Sequence, residues 1–215
     1  MPSSRHERSA RLAGYVSVAG VDEAGRGALF GPVFAAAVVL DAARPIRGLD
    51  DSKQLDAERR EVLAARIKER AMAWAVAGAD AFEIDRINIL QASRLAMKRA
   101  VEQIAPDFLL IDAITVDSPL PQKALIHGDA LSFSIAAASI LAKTGRDAAL
   151  VRWHDVFPQF NLARNKGYGA PEHLAALQKH GPTSLHRFSF EPVRNACGSP
   201  ERAWAGYPEQ SSLFS

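Results

Sequence analysis

Cysteine is nearly absent: the 215-residue sequence has only one, Cys197. An intramolecular disulfide is therefore excluded. A zinc site built on paired cysteines is excluded too, and the histidines are scattered. A chain of this length buries enough apolar surface to fold without a disulfide or a metal. A single thiol fits a reducing compartment, so we expect a cytoplasmic protein.

Long hydrophobic runs are also missing. The longest, VFAAAVVL at residues 33–40, is far shorter than the roughly 20 residues that span a bilayer. Residues 1–14 are charged and lack the apolar stretch of a signal peptide. We expect a soluble protein with no membrane association.

Two common catalytic motifs are absent as well. The sequence has no GxxxxGK[ST] phosphate loop and no GxSxG nucleophile elbow. The net charge is only +2, but it is unevenly spread, since residues 143–187 carry seven Lys or Arg against three Asp or Glu. Such a bias is compatible with a phosphate-bearing partner, although most charged stretches are simply solvated faces.

Hydrophobic periodicity predicts an α/β domain. Residues 16–22 and 32–40 are rich in β-formers and are separated by a short glycine-containing stretch, which favours a hairpin. Further strands are predicted at 72–80, 107–113 and 123–129, and helices within 49–71, 82–104, 132–157 and 167–181. This order indicates a mixed sheet covered by helices. Residues 195–215 lack periodicity, and we predict a mostly disordered tail there.

Acidic residues stand at the predicted ends of three strands. These are Asp22, Asp112 and Asp129, and Glu23 follows the first of them directly. Ligands of α/β proteins bind beyond strand ends, so we expect the carboxylates to converge. Converging carboxylates repel one another unless a cation compensates, and oxygen ligands suit Mg²⁺ or Mn²⁺. The pattern favours a metal-dependent phosphoryl-transfer site; the alternative is an ordinary loop or helix-cap role for each acid.

The segment GRG directly follows the first acidic pair. Glycines at 25 and 27 let the backbone approach a ligand closely, and Arg26 can neutralise a phosphate. The alternative is a hairpin turn with an exposed arginine.

Taken together, the motifs resemble bacterial ribonuclease HII over residues 16–193. They are VAGVDEAGRGALFGPV, DDSKQL, LLIDA, HGD followed by SIAAASILAK and RD, NKGYGAPEH, and GPTSLHRFSFEPV. The resemblance implies an α/β ribonuclease H-like fold, in which helices flank a mixed β-sheet and a C-terminal helical extension follows. This catalytic domain would span 12–194. Ala113 departs from the family, which commonly has glycine there.

The resemblance also implies an activity. It is endonucleolytic cleavage of the RNA strand of RNA–DNA hybrids and at ribonucleotides embedded in duplex DNA, leaving 3′-hydroxyl and 5′-phosphate ends. Asp22, Glu23, Asp112 and Asp129 look like the catalytic acids that bind two divalent cations, Mg²⁺ or Mn²⁺.

Substrate-binding residues are implied in the same way. Gly25, Arg26 and Gly27 look like the loop that reads the 2′-hydroxyl at an RNA–DNA junction. Tyr168 looks like the aromatic residue that stacks there; the alternative is a core tyrosine. Lys53 is similar to a contact with a backbone phosphate.

Two other functions remain open at this point. One is a ribonuclease H-like nuclease that acts on DNA, such as a junction resolvase, and the other is a non-catalytic nucleic-acid-binding domain. The acids alone do not separate the two nucleases, whereas GRG and KGYG favour the ribonuclease.

The C-terminal residues QSSLF are similar to the Gln-x-x-Leu-Phe peptides that bind the bacterial sliding clamp. Gln210, Leu213 and Phe214 would make that contact. The alternative is a stray apolar pair at a frayed end. We expect the protein itself to be a monomer.

Overall fold

A β-hairpin lies at the centre of the sheet. β1 (Val18–Ala24) and β2 (Val33–Val39) pair antiparallel, with Asp22 opposite Ala36, so the predicted hairpin is confirmed. The computed structural model describes residues 2–197.

The hairpin is extended on both sides into a mixed five-stranded sheet. β3 (Ala73–Ala79) pairs antiparallel with β2, whereas β4 (Phe108–Asp112) pairs parallel with β1. β5 (Gln122–Leu125) adds a second parallel pairing at the edge, which gives the order β3-β2-β1-β4-β5. The carboxyl ends of β1 and β4 therefore lie side by side, and both strands end near an acid.

Helices cover both faces of the sheet and continue beyond it. They are α1 (Arg5–Leu12), α2 (Ala57–Arg70), α3 (Ala81–Glu102), α4 (Gly128–Leu131), α5 (Phe133–Val156), α6 (Leu162–Asn165), α7 (Pro171–His180) and α8 (Glu191–Ala196), with a 3₁₀ turn at Pro158–Phe160. None of the helices within residues 2–197 has the length and apolar character needed to cross a membrane.

Alternation along the strands divides the core into two layers. Odd-numbered residues of β1 and β2, such as Val21 and Ala35, pack against α3. Even-numbered residues such as Ala36 and Val38 pack against α2 and the first half of α5. That half of α5 is almost entirely buried, which explains its nearly continuous apolar sequence.

Gly20 allows α5 to lie directly on β1. A Cβ atom at this position would stand 2.0 Å from the carbonyl carbon of Ser134, which is backbone and cannot move aside. The close approach brings the middle of α5, including Ser139, over the acidic end of β1.

The C-terminal helical extension forms a third apolar cluster. Phe30, from the turn after β1, is fully buried among residues of α5 to α8, including Phe160 and Leu177. Helix α8 continues to Ala196, and Cys197 is a free thiol buried in the same cluster. The predicted start of the tail at residue 195 is therefore wrong, and residues 198–215 lie outside the described residues. The extension predicted from the family resemblance is therefore present and is packed against the segment that follows GRG.

Helix α1 was not predicted from the sequence. Its buried Glu7 accepts hydrogen bonds through Oε1 from the Ser132 hydroxyl (2.6 Å) and from the Ser134 hydroxyl and backbone N–H (2.8 and 2.9 Å). The carboxylate thus lies at the N-terminus of α5, where the helix dipole and the free N–H groups favour negative charge.

The predicted helix over 82–104 is interrupted. Asn88 has φ 67° and ψ 162°, and its Oδ1 accepts hydrogen bonds from the N–H groups of Leu90 and Gln91. Asn88 therefore caps the second part of α3 from within. Periodicity alone did not reveal the break, because apolar spacing continues on both sides of it.

Candidate active site

Asp22 and Glu23 are two of the last three residues of β1. As neighbours in a strand, they lie on opposite faces of the sheet. Asp22 shares the face of Ala36 and accepts a hydrogen bond from the Ser139 side chain on α5, and it is 5% exposed. Glu23 pairs with Ala35 on the α3 face. The strand continues to Ala24, so Asp22 does not end it as predicted.

Asp112 is the last residue of β4, as predicted. Its Oδ1 accepts a hydrogen bond from the Gly128 N–H at 2.7 Å. A Cβ atom at Gly128 would stand 3.3 Å from that oxygen and 2.7 Å from Ile135 Cδ1, so only glycine fits without displacement. The bond joins the end of β4 to the start of α4.

Asp129 reaches the site from a helix, so the predicted strand over 123–129 is wrong in its second half. The strand ends at Leu125, and His127 adopts the left-handed conformation with φ 57°. The chain turns there into the short helix α4, whose first turn contains the buried Asp129. A residue other than glycine in the left-handed region is uncommon, so the turn at His127 was not predicted from the sequence.

The electrostatics show that these carboxylates share one environment. Burial raises the pKa of Asp22 well above its usual value, and the charges of Glu23 and Asp112 add to the effect. Burial also raises the pKa of Glu23, against the opposing influence of Arg26. For Asp129, burial and then the charges of Asp51 and Asp112 raise the pKa.

Lys53 lies within the field of the acids. Partial burial acts to lower its pKa, but the charges of Asp51, Asp129, Asp22 and Asp112 together outweigh burial and raise it. Lys53 is an exposed residue, so it is available to a phosphate near the acids.

Two residues at the site were missed by the sequence analysis. Asp51 acts on Asp129 and Lys53 by its charge, and Ser139 hydrogen bonds with both Asp22 and the Ser52 hydroxyl, the latter at 2.9 Å. Asp51 was part of the quoted DDSKQL motif but had no role assigned to it. Ser139 lies within the apolar sequence of α5, and no sequence motif indicates that it contacts the acids.

The carboxylate oxygens of the four acids are ligands of the kind that a hard divalent cation prefers, but they do not form a complete coordination shell. No three His, Cys, Asp or Glu side chains of residues 2–197 stand in an arrangement that holds a metal ion as it is. Asp22, Asp112 and Asp129 each use Oδ1 as an acceptor of a backbone N–H. Their other carboxylate oxygens could bind a metal ion. So could Glu23 Oε2, which is buried and has no hydrogen-bond partner. An all-oxygen set suits Mg²⁺ or Mn²⁺.

The predicted substrate-binding residues lie together beside the acids. We call residues 25–27 the glycine loop and residues 166–169 the tyrosine loop. Arg26 Nη1 lies 3.3 Å from Glu23 Oε1, and a Cβ atom at Gly27 would stand 3.9 Å from Tyr168 Cε1. The Leu29 N–H donates to the Gly167 carbonyl at 2.7 Å, which ties the two loops together. Tyr168 is 38% exposed, which argues against a core tyrosine.

The predicted clamp-binding residues Gln210, Leu213 and Phe214 lie outside the described residues.

A mixed sheet with a group of carboxylates beside the ends of its central parallel strands defines the class: a ribonuclease H-like, metal-dependent nuclease. The family model described as Ribonuclease HII matches residues 19–193. The chain belongs to the ribonuclease HII family and is a metal-dependent hydrolase, an endoribonuclease acting on RNA–DNA hybrids.

Curated relatives agree over most of the chain. A ribonuclease HII of Solibacter usitatus is 61% identical and covers 87% of this chain and 83% of its own length. A ribonuclease HII of Koribacter versatilis is 53% identical and covers 93% of this chain and 79% of its own. The assignment favours the ribonuclease over the DNA nuclease and the non-catalytic domain.

Solved structures share the fold at lower identity. The ribonuclease H2 of Pyrococcus horikoshii has a TM-score of 0.71 at 25% identity and covers 88% of this chain and 100% of its own. The ribonuclease HII of Archaeoglobus fulgidus, in complex with PCNA, has a TM-score of 0.71 at 24% identity and covers 82% and 96%. A Bst ribonuclease HIII in complex with Mn²⁺ has a TM-score of 0.64 at 21% identity and covers 88% and 72%.

Proposed function

We propose that this protein cleaves at ribonucleotides embedded in duplex DNA as well as in longer RNA–DNA hybrids. The catalytic acids would be Asp22, Glu23, Asp112 and Asp129. The proposed catalytic domain covers the predicted span 12–194 together with residues 195–197, which complete α8 and its packing.

One observation carries the proposal: the acids, the glycine loop and Tyr168 form one continuous surface. Arg26 bridges the first two through Glu23, and the Tyr168 ring lies against Gly27. A junction between ribose and deoxyribose bound by the loop would therefore place its phosphate at the carboxylates. Neither a general DNA nuclease nor a binding domain needs this adjacency.

The four acids would hold Mg²⁺ or Mn²⁺. Such cations, when bound, stabilise charge on the phosphate and make a hydroxide available at neutral pH. Asp22 is the most deeply buried of the group, and Ser139 holds it in place from α5. Asp112 and Asp129 are held by backbone N–H groups at the start of α4. The carboxylates are thus preorganised, and hydrolysis breaks the bond between phosphorus and the 3′-oxygen.

Recognition would divide between charge and shape. Lys53 and Arg26 are exposed cations near the acids, and they would bind backbone phosphates without regard to sequence. Gly25 is buried and Gly27 exposed, so the loop offers backbone groups to the substrate. The 2′-hydroxyl both donates and accepts hydrogen bonds, and it distinguishes RNA from DNA at such a site. Tyr168 would stack on the adjoining nucleotide.

The deciding experiment uses three duplexes that differ only in sugar. The protein is incubated with Mg²⁺ or Mn²⁺ and a duplex that is all DNA, one that holds a single ribonucleotide, or an RNA–DNA hybrid. We expect cleavage of the second and third, with 3′-hydroxyl and 5′-phosphate ends. Equal cleavage of the all-DNA duplex would favour a DNA nuclease, and an intact single-ribonucleotide duplex would refute the proposed recognition.

We also propose that the C-terminal Gln210, Leu213 and Phe214 bind a sliding clamp. The support is the sequence of the motif, together with the fold neighbour from Archaeoglobus fulgidus that was solved with PCNA. A short peptide binds such a groove weakly, with a Kd on the order of tens of micromolar. Deleting residues 210–215 should abolish clamp binding and leave cleavage of free oligonucleotides unchanged. No binding by the full chain at that concentration would refute the motif. A monomeric state and a cytoplasmic location remain predictions.

A further inference from the structure

Arg146 carries a charge yet is fully buried. It projects from α5 to the point where the glycine loop meets the tyrosine loop. A Cβ atom at Gly25 would stand 2.0 Å from Arg146 Nε, so the backbone of the glycine loop packs directly on the arginine side chain. On the other side, the guanidinium carbon lies 5.2 Å from the centroid of the Tyr168 ring.

The hydrogen bonds of Arg146 join the tyrosine loop to Phe30, three residues after the glycine loop. Nη1 donates to the Lys166 carbonyl at 2.9 Å, and Nη2 donates to the Phe30 carbonyl at 3.4 Å. Within residues 2–197, Arg146 forms no ion pair with a carboxylate. Burying a charge against carbonyl groups alone is costly, and it lowers the pKa of Arg146. An apolar residue would fill this place at lower cost if packing were the only requirement.

A second buried arginine, Arg187, also binds the glycine loop. It too is fully buried, and its Nη1 and Nε donate to the carbonyls of Arg26 (2.9 Å) and Gly31 (2.8 Å). Arg187 therefore holds the backbone of the glycine loop at Arg26. Arg146, in contrast, contacts both that loop and the Tyr168 ring.

We propose that Arg146 is a positioning residue for substrate recognition. Its planar guanidinium sets the spacing between the glycine loop and the Tyr168 ring, and so acts on 2′-hydroxyl recognition through both. The inference rests on the proposed function, because it concerns the surface that would read the RNA–DNA junction. Arg146 itself does not touch the substrate.

The competing explanation is that Arg146 only stabilises the fold. In that case its loss would reduce the folded fraction and hence the apparent kcat, whereas folded molecules would keep the normal KM. A positioning role predicts the opposite division, with a raised KM for the single-ribonucleotide duplex in protein that is still folded.

The test is a double-mutant cycle on that duplex, with the variants R146M, Y168A and the combination. We expect R146M to raise KM roughly tenfold, about the size of a well-formed recognition contact. The double variant should be no worse than Y168A, because the two residues act as one unit. R146K keeps the charge but loses the plane, and should lie between R146M and the wild type; it also carries the test if R146M does not fold.

The matched control is R99M. Arg99 also donates to a backbone carbonyl, that of Gly78, but it is partly exposed, forms an ion pair with Glu83 and lies on α3, on the other face of the sheet. R99M should lower the melting temperature and leave KM unchanged. Wild-type KM in both Arg146 variants, or effects that add fully to those of Y168A, would overturn the inference. If instead the wild-type protein does not cleave the single-ribonucleotide duplex, the proposed function is refuted rather than the role of Arg146.

Discussion

Single residues hold the site in conformations that the chain does not adopt freely. Ala113 directly follows Asp112, one of the proposed catalytic acids, and has φ 55°, in the left-handed region. Its N–H donates to the Leu125 carbonyl at 3.0 Å, so the strained turn closes the end of β4 onto β5. An alanine in this conformation costs about 1 kcal/mol. The ribonuclease HII family commonly has glycine at this position. Glycine suits it because glycine adopts a positive φ without steric strain.

We expect A113G to stabilise the protein. Glycine removes the left-handed strain, and the gain exceeds its extra entropy in the unfolded chain. The net gain is below about 1 kcal/mol, so the melting temperature should rise by up to roughly 2 °C, with cleavage unchanged. The control is A148G on the exposed face of α5, which should lower stability by about 1 kcal/mol. A lower melting temperature in A113G would contradict the strain argument.

The charge of Asp112 can be separated from its shape. D112N keeps the oxygen that accepts the Gly128 N–H, so α4 should stay in place. The lost charge should lower the cleavage rate at least roughly 100-fold, since metal-assisted stabilisation amounts to several kcal/mol. Duplex binding, measured by fluorescence anisotropy, should be retained or tighter because repulsion of phosphate falls. The control D117N changes an acid whose side chain is 95% exposed; near-normal turnover of D112N would rule out its metal role.

At the scale of elements, the C-terminal extension depends on a buried histidine pair. His173 Nε2 on α7 lies 3.1 Å from His186 Nε2, and His186 Nδ1 contacts the Thr183 N–H and hydroxyl at 3.0 Å. Burial, reinforced by the charge that His173 acquires on protonation, lowers the pKa of His186 to about 3. The folded extension therefore keeps this imidazole neutral, and the Tyr168 carbonyl is tied to the pair through His173 Nδ1 at 2.9 Å.

This pair should make the protein sensitive to acid. The folded pKa of His186 lies below the unfolded value, so its contribution to stability is present above about pH 6.5 and is lost as the pH falls towards 3. The limiting slope is about 1.4 kcal/mol per pH unit. We expect H186Q to be less stable at pH 7 but to lose less stability between pH 6 and 4, as measured by urea unfolding. H180Q, at an exposed site on α7, should follow the wild type; equal slopes in all three proteins would show that His186 is not the group that titrates.

At the scale of the whole molecule, the buried carboxylates of the acidic site lower the free energy of unfolding when they are ionised. Ionised Asp22 is buried near other carboxylates, and its pKa is raised. The folded protein therefore favours the protonated form, and without a cation its stability falls as the pH rises through the folded pKa. A bound cation reverses this cost.

Adding Mn²⁺ at pH 7.5 should raise the melting temperature. At a concentration of 100 times the Kd the gain is about 2.7 kcal/mol, or roughly 5–10 °C for a chain of this size. D22N should be more stable than the wild type in chelator, because the repulsion is gone, and should show a much smaller response to Mn²⁺. A wild-type response in D22N would exclude Asp22 as a ligand.

The sequence alone determined the succession of strands and helices along the chain, the hairpin of the first two strands and the mixed character of the sheet. These follow from alternation, periodicity and strand ends, which involve residues close together in the chain. Tertiary structure alone decided that Asp129 arrives from a helix, that Asn88 breaks α3 and that Glu7 docks on Ser132 and Ser134. It also decided that Arg146 lies buried between two loops. Each of these depends on a backbone conformation or a partner distant in sequence, and its cost is offset only once the rest of the fold is in place.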